Sequence, residues 1–412
     1  MLKKIDSDQL RVGMAIHDLD CGWMEHPFVR TRFVLASEDE IRKIVQAGIR
    51  SVVIDCARGL DVDHAPTLAE ARSRTEAGIA GIASLASAPV RPLPPARASL
   101  ADEMQRAVNI RRQAVGVVRS VMQDARLGKA VELDSVTPVV RNITESILRN
   151  SGALFGLLRI KSKDDYTFLH SVSVCTLLVA FCRSRGMDED TIYQAGIGGL
   201  LHDTGKALVP DAILNKPGRL SDEEFTLIKQ HPRDGYDILR QNPDIGAIPL
   251  DITLHHHERR DGSGYPDLQR ADAISELAQM AAIVDVYDAI TSDRSYHKGM
   301  PPAEALRKIY EWSQHHFHPG LTQEFMRCVG IYPVGSMVML ESGRLGVVVE
   351  PHDSNLLTPK VNVFFNTKSQ TYIRPELLDL SRAFGFGGGD KILRHEAPDK
   401  WKVDPNRFLL AA

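Results

Sequence analysis

The chemistry of this chain starts at Leu200-Leu201-His202-Asp203-Thr204-Gly205-Lys206. An imidazole and a carboxylate stand side by side after the apolar run Ala195 to Leu201, which reads as a helix and puts the pair near its end. A His-Asp pair is common by chance, but this one has company. His170 lies 32 residues before His202, and His231, His256, His257 and Asp285 follow. Of the 15 histidines in the chain, ten fall between His170 and His318. Their spacing is too wide for a zinc finger, and no cysteine joins them. Imidazole and carboxylate ligands without thiolate suit zinc, iron or manganese in a catalytic site rather than a closed structural one. Six or seven such ligands exceed what one tetrahedral ion can use, which argues for two metals sharing a carboxylate. Two cations about 3.5–4 Å apart clamp the attacking and leaving oxygens of a phosphoryl transfer, and water between them is acidic enough to be hydroxide near neutral pH. The pattern points to phosphoester hydrolysis.

Helices must position these groups. Residues 151–330 read as mostly helical, punctuated by Gly152, Gly186, Pro210, Pro217-Gly218 and Gly262-x-Gly264-x-Pro266. Ser221 and Glu224 form a capping box that opens a helix carrying His231. Adjacent helix positions point about 100° apart, so three consecutive histidines cannot all face one site. His256 and His257 are taken as ligands because Glu258 follows them, and His255 is left out. Ile197-Gly198-Gly199 reads as close helix packing. His315, His316 and His318 read as surface residues.

The flanking regions differ in character. Residues 1–63 read as a small α/β domain, with strands at 14–16, 31–35 and 51–54. A helix opens on a Ser37/Glu40 capping box and stops at Gly48. Residues 64–98, rich in Ala, Ser and Pro, read as a linker. Helices at about 101–125 and 134–150 form a pair within 99–152 that packs on the catalytic domain or mediates a homodimer; the sequence does not choose. The catalytic domain spans 153–330. Residues 331–412 read as a β-rich appendix with strands at 337–340, 346–349 and 361–365. Gly385-Phe386-Gly387-Gly388-Gly389 reads as a flexible turn, because a phosphate loop needs a strand-to-helix context and a following Lys-Ser/Thr.

Composition narrows the class. The 412 residues carry 50 Lys plus Arg against 53 Asp plus Glu, a net charge of −3, which excludes a generic binder of polymeric nucleic acid. Five cysteines are too few, and odd in number, for a disulfide scaffold. The longest apolar run, about 172–182, is too short to span a bilayer. Met1 to Asp6 has two positive charges but no apolar stretch after them. A cytoplasmic protein without a membrane partner is the expectation.

Taken together, His202-Asp203 with Gly205-Lys206, His256-His257-Glu258 and Asp261-Gly262-Ser263-Gly264-Tyr265-Pro266 resemble the HD-GYP domain, a subset of the HD phosphohydrolase superfamily. Ile213-Leu214-Asn215-Lys216-Pro217-Gly218 and Asp285-Val286-Tyr287-Asp288-Ala289-Ile290-Thr291-Ser292 agree with it, and the match covers about 160–325. Residues 1–63 resemble a domain often found ahead of HD-GYP, and the C-terminal β segment is a familiar companion. The resemblance implies an all-α catalytic bundle and a bacterial cyclic di-GMP phosphodiesterase. Such an enzyme lowers a messenger that controls biofilm, motility and virulence, by bridging-hydroxide attack that yields pGpG and onward GMP. It implies two divalent ions, iron or manganese, held by His170, His202, Asp203, His231, His256, His257 and Asp285, with Asp203 bridging. Lys206 and Arg294 would meet phosphate oxygens, and guanosine would pack on Gly264-Tyr265-Pro266.

Three positions depart from the family pattern. Tyr166 stands where some members carry a Glu for a third metal, so two ions are expected. His297, followed by Lys298, replaces a Lys common in the family. Phe317-His318-Pro319 replaces Phe-Asp-Pro. Asp288 either supports the site or caps locally, and Asp261 fixes the turn before Gly262. Two other functions compete. One is a cyclic di-GMP receptor or a docking module for diguanylate cyclases, against which the complete ligand set argues. The other is an HD hydrolase of mononucleotides or of another cyclic dinucleotide, against which Gly264-Tyr265-Pro266 argues.

Overall fold

The computed structural model of the chain describes residues 1–21, 28, 32–85, 98–159, 166–216, 218, 220–293, 299–352, 355–382 and 389–409. Arg294, His297, Lys298 and the glycine-rich turn up to Gly388 lie outside that set, as does the side chain of Tyr166.

The N-terminal strands β1 (Leu2–Asp6), β2 (Ala15–Asp18), β3 (Phe33–Val34) and β4 (Ser51–Asp55) pair antiparallel in the order β1-β4-β2-β3. With helix α1 (Glu38–Gln46) they enclose a core of their own, including Ile5, Met14, Ile16, Leu35, Ile44, Val52 and Ile54. The Ser37 hydroxyl caps α1 by accepting from Glu40 N at 3.4 Å. The Glu40 carboxylate turns to Ala36 N at 2.7 Å rather than to Ser37, so half of the expected box is displaced by one residue. Strand β1 was not anticipated, because one of its two inward positions is a lysine. Lys3 is buried by pairing with Asp61 at 2.9 Å.

Helix α2 (Leu68–Leu85) occupies about half of the stretch expected to be a linker, of which residues 86–97 lie outside the described set. Its Ala-rich sequence favours helix, and it packs on the later helix that carries Tyr310. Helices α3 (Leu100–Arg126) and α4 (Leu133–Arg159) form the expected pair. Ala107, Ile110, Ala114 and Val118 on α3 and Val136, Val140, Ile143 and Ile147 on α4 join the same core as the helices that follow. The pair therefore packs on the catalytic bundle. Helix α4 breaks at Asn150 (φ −165°), whose side chain accepts from Gly152 N at 3.0 Å and donates to Ala98 O at 3.2 Å.

The bundle continues with α5 (Tyr166–Ser184), α6 (Glu189–Leu201), α7 (Asp211–Leu214), α8 (Asp222–Ile228), α9 (His231–Leu239) and α10 (Ala247–His255). It closes with α11 (Glu276–Thr291), α12 (Pro302–Trp312) and α13 (Pro319–Val329). The Ser221/Glu224 box opens α8, which ends at Ile228, and His231 opens α9, a correction to the single helix expected across both; Pro232 has no amide with which to continue α8. Helix α5 is buried nearly all round, the pattern of a central helix. Its Thr167–Ser184 window, with mean hydropathy 1.4, is long and apolar enough to cross a bilayer, but 72% of it is buried within the fold. Helix α6 crosses close to its neighbours through glycines. A Cβ on Gly198 would meet Ile252 at 2.8 Å, and one on Gly199 would meet Cys175 Cα at 3.0 Å.

At the C-terminus β5 (Met337–Leu340), β6 (Arg344–Glu350), β7 (Lys360–Asn366), β8 (Thr371–Asp379) and β9 (Ile392–His395) form an antiparallel sheet in the order β8-β7-β6-β5-β9. Met337 and Met339 turn into the bundle core while Val338 and Leu340 face a separate one, which is why β5 reads as an unbroken apolar run. The two edge strands escape a sequence reading. Most of β8 is exposed, and it contains Pro375, tolerated at an edge.

Phe181 on α5 is fully buried, its ring 5.4 Å from that of Phe325 on α13. Phe181→Ala is expected to cost about 3–5 kcal/mol in urea unfolding; a loss below about 1 kcal/mol would contradict this packing.

Candidate metal centre

Seven groups from separate helices converge in the middle of the bundle. His170 hangs from α5, His202 and Asp203 end α6, His231 opens α9, His256 and His257 follow α10, and Asp285 comes from α11. His170, His202, Asp203, His231, His256 and Asp285 are buried, and His257 is partly exposed. All seven positions expected from the sequence are thus neighbours.

The local chain makes this convergence possible. Helix α6 starts on Asp188, whose carboxylate accepts from Thr191 N at 2.9 Å. After His202 the backbone tightens into a 3-10 turn over Thr204–Leu208, held by Lys206 N donating to Asp203 O at 2.9 Å. Gly205 in this turn lies directly under α9. A Cβ there would stand 2.0 Å from His231 O and 2.5 Å from Gly235 N. Only glycine lets α9 come close enough to bring His231 to Asp203.

Most of the imidazoles are held in one tautomer. Nδ1 of His202 faces Gly199 O at 2.9 Å, Nδ1 of His231 faces Ile228 O at 2.8 Å, and Nδ1 of His256 faces Thr253 O at 2.9 Å. A carbonyl can only accept, so Nδ1 carries the proton and Nε2 keeps its lone pair. His170 Nδ1 likewise faces Asp288 Oδ2, at 2.7 Å. Asp288 is therefore the support for His170, which settles the choice left open above. The four Nε2 atoms point inward.

There they surround Asp203. Its Oδ1 lies 3.3 Å from His231 Nε2 and 3.9 Å from His256 Nε2, and its Oδ2 lies 3.3 Å from His202 Nε2 and 3.7 Å from His170 Nε2. Asp285 Oδ1 is 2.8 Å from His170 Nε2, and its Oδ2 is 3.8 Å from His257 Nδ1. Ligand atoms of His170, His202 and Asp285 form one compact group, and those of His231, His256 and His257 form another. One oxygen of Asp203 faces each side.

This donor set fits divalent cations. His202 Nε2 and Asp203 Oδ1 are buried without a hydrogen-bond partner among the described residues, an expensive arrangement unless a cation is shared. His231 Nε2 and His256 Nε2 lie 3.3 Å apart, although both protons are committed to Nδ1. Burial and the neighbouring His202 and His231 push His256 down to about 3, so it is neutral and ready to coordinate. Burial also lowers His231 and, together with the adjacent His256, His257. Burial alone would raise Asp203, but the neighbouring His202 ring and the Lys206 ammonium hold it well below the usual carboxylate range. Asp285 is likewise held low, against its burial, by His170. Lys206 Nζ donates to Asp203 Oδ2 at 2.6 Å.

The Gly264-Tyr265-Pro266 loop forms the rim. A Cβ on Gly264 would fall 2.3 Å from Arg259 N and 2.6 Å from His257 O, so glycine is required there. The Tyr265 ring lies 4.7 Å from that of His257, tilted by 30°, and Lys229 Nζ is 5.5 Å from the Tyr265 ring. Glu258 holds the far side of the loop by accepting from Asp267 N at 2.7 Å and Gln269 N at 3.0 Å. The sequence reading used Glu258 only to choose among the histidines; its place directly after His256-His257 was the available signal. His255 turns away to Asp251 at 2.7 Å. Asp261 accepts from Ser263 N at 3.0 Å and Ser263 Oγ at 2.6 Å, the expected turn role.

Of the three later histidines, His316 is not a surface residue, and His318 is partly exposed. His316 is buried, with Nε2 3.4 Å from Gly48 O of the N-terminal domain. His318 caps α13, Nδ1 accepting from Leu321 N at 3.2 Å. An imidazole nitrogen thus does the capping work usual for a short polar side chain at a helix start.

Comparisons with known proteins agree with this architecture. Residues 2–136 match a domain of unknown function, extending past the expected boundary at 63 into α4, and residues 157–321 match the HD domain. A cyclic di-GMP phosphodiesterase of Pseudomonas aeruginosa is 43% identical over 402 residues, covering 97% of this chain and 94% of the relative. The cyclic di-GMP phosphodiesterase response regulator RpfG of Xanthomonas campestris is 37% identical over 164 residues, 39% of this chain and 42% of its own length. The solved structure of Bd1817, an HDG"Y"P protein of Bdellovibrio bacteriovorus, overlays with a TM-score of 0.46 at 18% identity, covering 79% of this chain and 98% of that one. With 43% identity to the Pseudomonas aeruginosa phosphodiesterase over nearly its full length and an HD domain over its helical bundle, the chain belongs to the HD-GYP family of the HD phosphohydrolase superfamily.

Proposed function

We propose that the protein is a divalent-metal-dependent phosphodiesterase that hydrolyses cyclic di-GMP to pGpG and onward to GMP in the cytoplasm. The observation that carries this reading is the buried Asp203 carboxylate, whose two oxygens face two separate ligand groups. His170, His202 and Asp285 would hold one cation, His231, His256 and His257 the other, and Asp203 both. Iron or manganese suits this nitrogen and oxygen set. When bound, the metals neutralise phosphoryl charge and make water acidic enough to attack near neutral pH.

The chain supplies the rest. Asp288 locks the His170 ring through its 2.7 Å contact with Nδ1. Lys206, held at Asp203, brings a fixed positive charge to the edge where a phosphate oxygen would arrive. Arg294 is proposed as a second, bidentate phosphate contact. Tyr265 and Pro266, partly exposed at the rim, offer apolar surface to a guanine base.

The test is product analysis on cyclic di-GMP with anaerobically purified, iron- or manganese-loaded protein. Wild-type protein is expected to yield pGpG or GMP, and an intact substrate would overturn the proposal. His202→Ala and Asp203→Ala should each lower turnover on the order of a hundredfold or more while the protein stays folded by circular dichroism. Asp288→Asn removes the charged acceptor behind His170. It should weaken metal binding roughly ten- to hundredfold in chelator competition, and unchanged affinity would contradict its supporting role.

A further inference from the structure

The loop that carries Gly264-Tyr265-Pro266 also touches the N-terminal domain. Arg50 Nε, at the end of the turn before β4, donates to Asp261 Oδ2 at 2.8 Å across 211 residues of sequence. The other oxygen of Asp261 holds Ser263 through both its backbone N and its hydroxyl. Gly264 follows immediately, and Tyr265 N then donates to His257 O at 3.2 Å. Arg50 is thus connected, through two sets of hydrogen bonds and the short chain from Ser263 to Tyr265, to the backbone carbonyl of the candidate ligand His257. Gly48 lies against the same loop, where a Cβ would stand 3.0 Å from Ser263 Cβ. Arg260 N donates to His316 O at 3.0 Å, and His316 in turn faces Gly48 O.

The rest of the N-terminal domain is fastened independently. Buried Asp20 pairs with Lys4 at 2.7 Å and with Lys308 of α12, and Trp312 Nε1 donates to Asp20 O at 2.8 Å. Lys4 also reaches Glu311 at 2.5 Å. This ionic anchor fixes the domain on α12 and leaves Arg50 as a short arm aimed at the loop. A planar guanidinium on a carboxylate restrains both direction and distance.

We infer that Arg50 is a positioning residue for the proposed phosphodiesterase, through which the N-terminal domain sets the Gly264–Pro266 loop for substrate. The inference rests on that reading of function. Arg50 touches none of the seven candidate metal ligands, which are held by helices, backbone carbonyls and Asp288. Its loss therefore acts on substrate binding and spares the metals.

The experiment compares Arg50→Ala, Arg50→Glu and Arg50→Lys in the full-length, metal-loaded protein. For cyclic di-GMP, KM should rise roughly two- to fivefold in Arg50→Ala, the range for an ion pair partly open to water, and further in Arg50→Glu. The value of kcat and the metal content should stay near wild type, and Arg50→Lys should recover most of the loss. Backbone amides of 263–265 should exchange hydrogen faster in the Ala and Glu variants than in wild type. Unchanged KM and unchanged exchange in both variants would overturn the inference. So would a parallel fall in kcat and metal content, which marks general destabilisation. If the wild-type protein leaves cyclic di-GMP intact, the functional reading has failed, and the exchange comparison alone decides whether Arg50 positions the loop.

Discussion

A single carboxylate, only 2% exposed, sits among four imidazoles and a lysine. Desolvating such a charge costs several kcal/mol unless other charges answer it. Lys206 answers Oδ2 directly, whereas Oδ1 meets the Nε2 lone pairs of His231 and His256, and cations between the carboxylate and the rings would complete the balance. The bundle can be understood as the scaffold that this arrangement demands. Helix α6 must end at His202, α9 must begin at His231, α10 must end before His256, and α11 must present Asp285 and Asp288 on one face, three residues apart.

Helices alone do not give that precision. It comes from the backbone groups behind each ring, where carbonyls of Gly199, Ile228 and Thr253 fix the tautomers. It also comes from close backbone approach at Gly205, without which α9 would stand off by the width of a methyl group. Ligand geometry is therefore built largely from main chain, which is rigid, rather than from long side chains. The rim is different. Its order depends on Glu258, Asp261 and, through Arg50, on a domain with a core of its own.

The ligands were legible in the sequence because their chemistry allows few residue types, and His202-Asp203 and His256-His257 announce themselves in that order. The supports were less legible. Asp288 could have been a local cap until its contact with His170 was seen. Glu258 reads as part of a motif, but its two backbone partners at Asp267 and Gln269 follow only from the loop's path. Arg50 carries no local signal, since its partner is in another domain. His318 became interpretable once α13 supplied an amide to cap. In the fold, α3 was read nearly to its ends, because a 3.6-residue period persists over many turns, and α4 only as far as its break at Asn150. Strand β1 with its buried lysine, β8 with its exposed edge, and α2 in an Ala-rich stretch lack a strong apolar period, so tertiary contacts decide them.

The central claim is that Asp203 joins two metal positions. Anomalous diffraction from crystals of the metal-loaded protein tests it most directly. Two peaks per chain are predicted, about 3.5–4 Å apart, one beside His170, His202 and Asp285 and one beside His231, His256 and His257, with an oxygen of Asp203 at each. A single peak, or two peaks that do not share Asp203, would contradict the account.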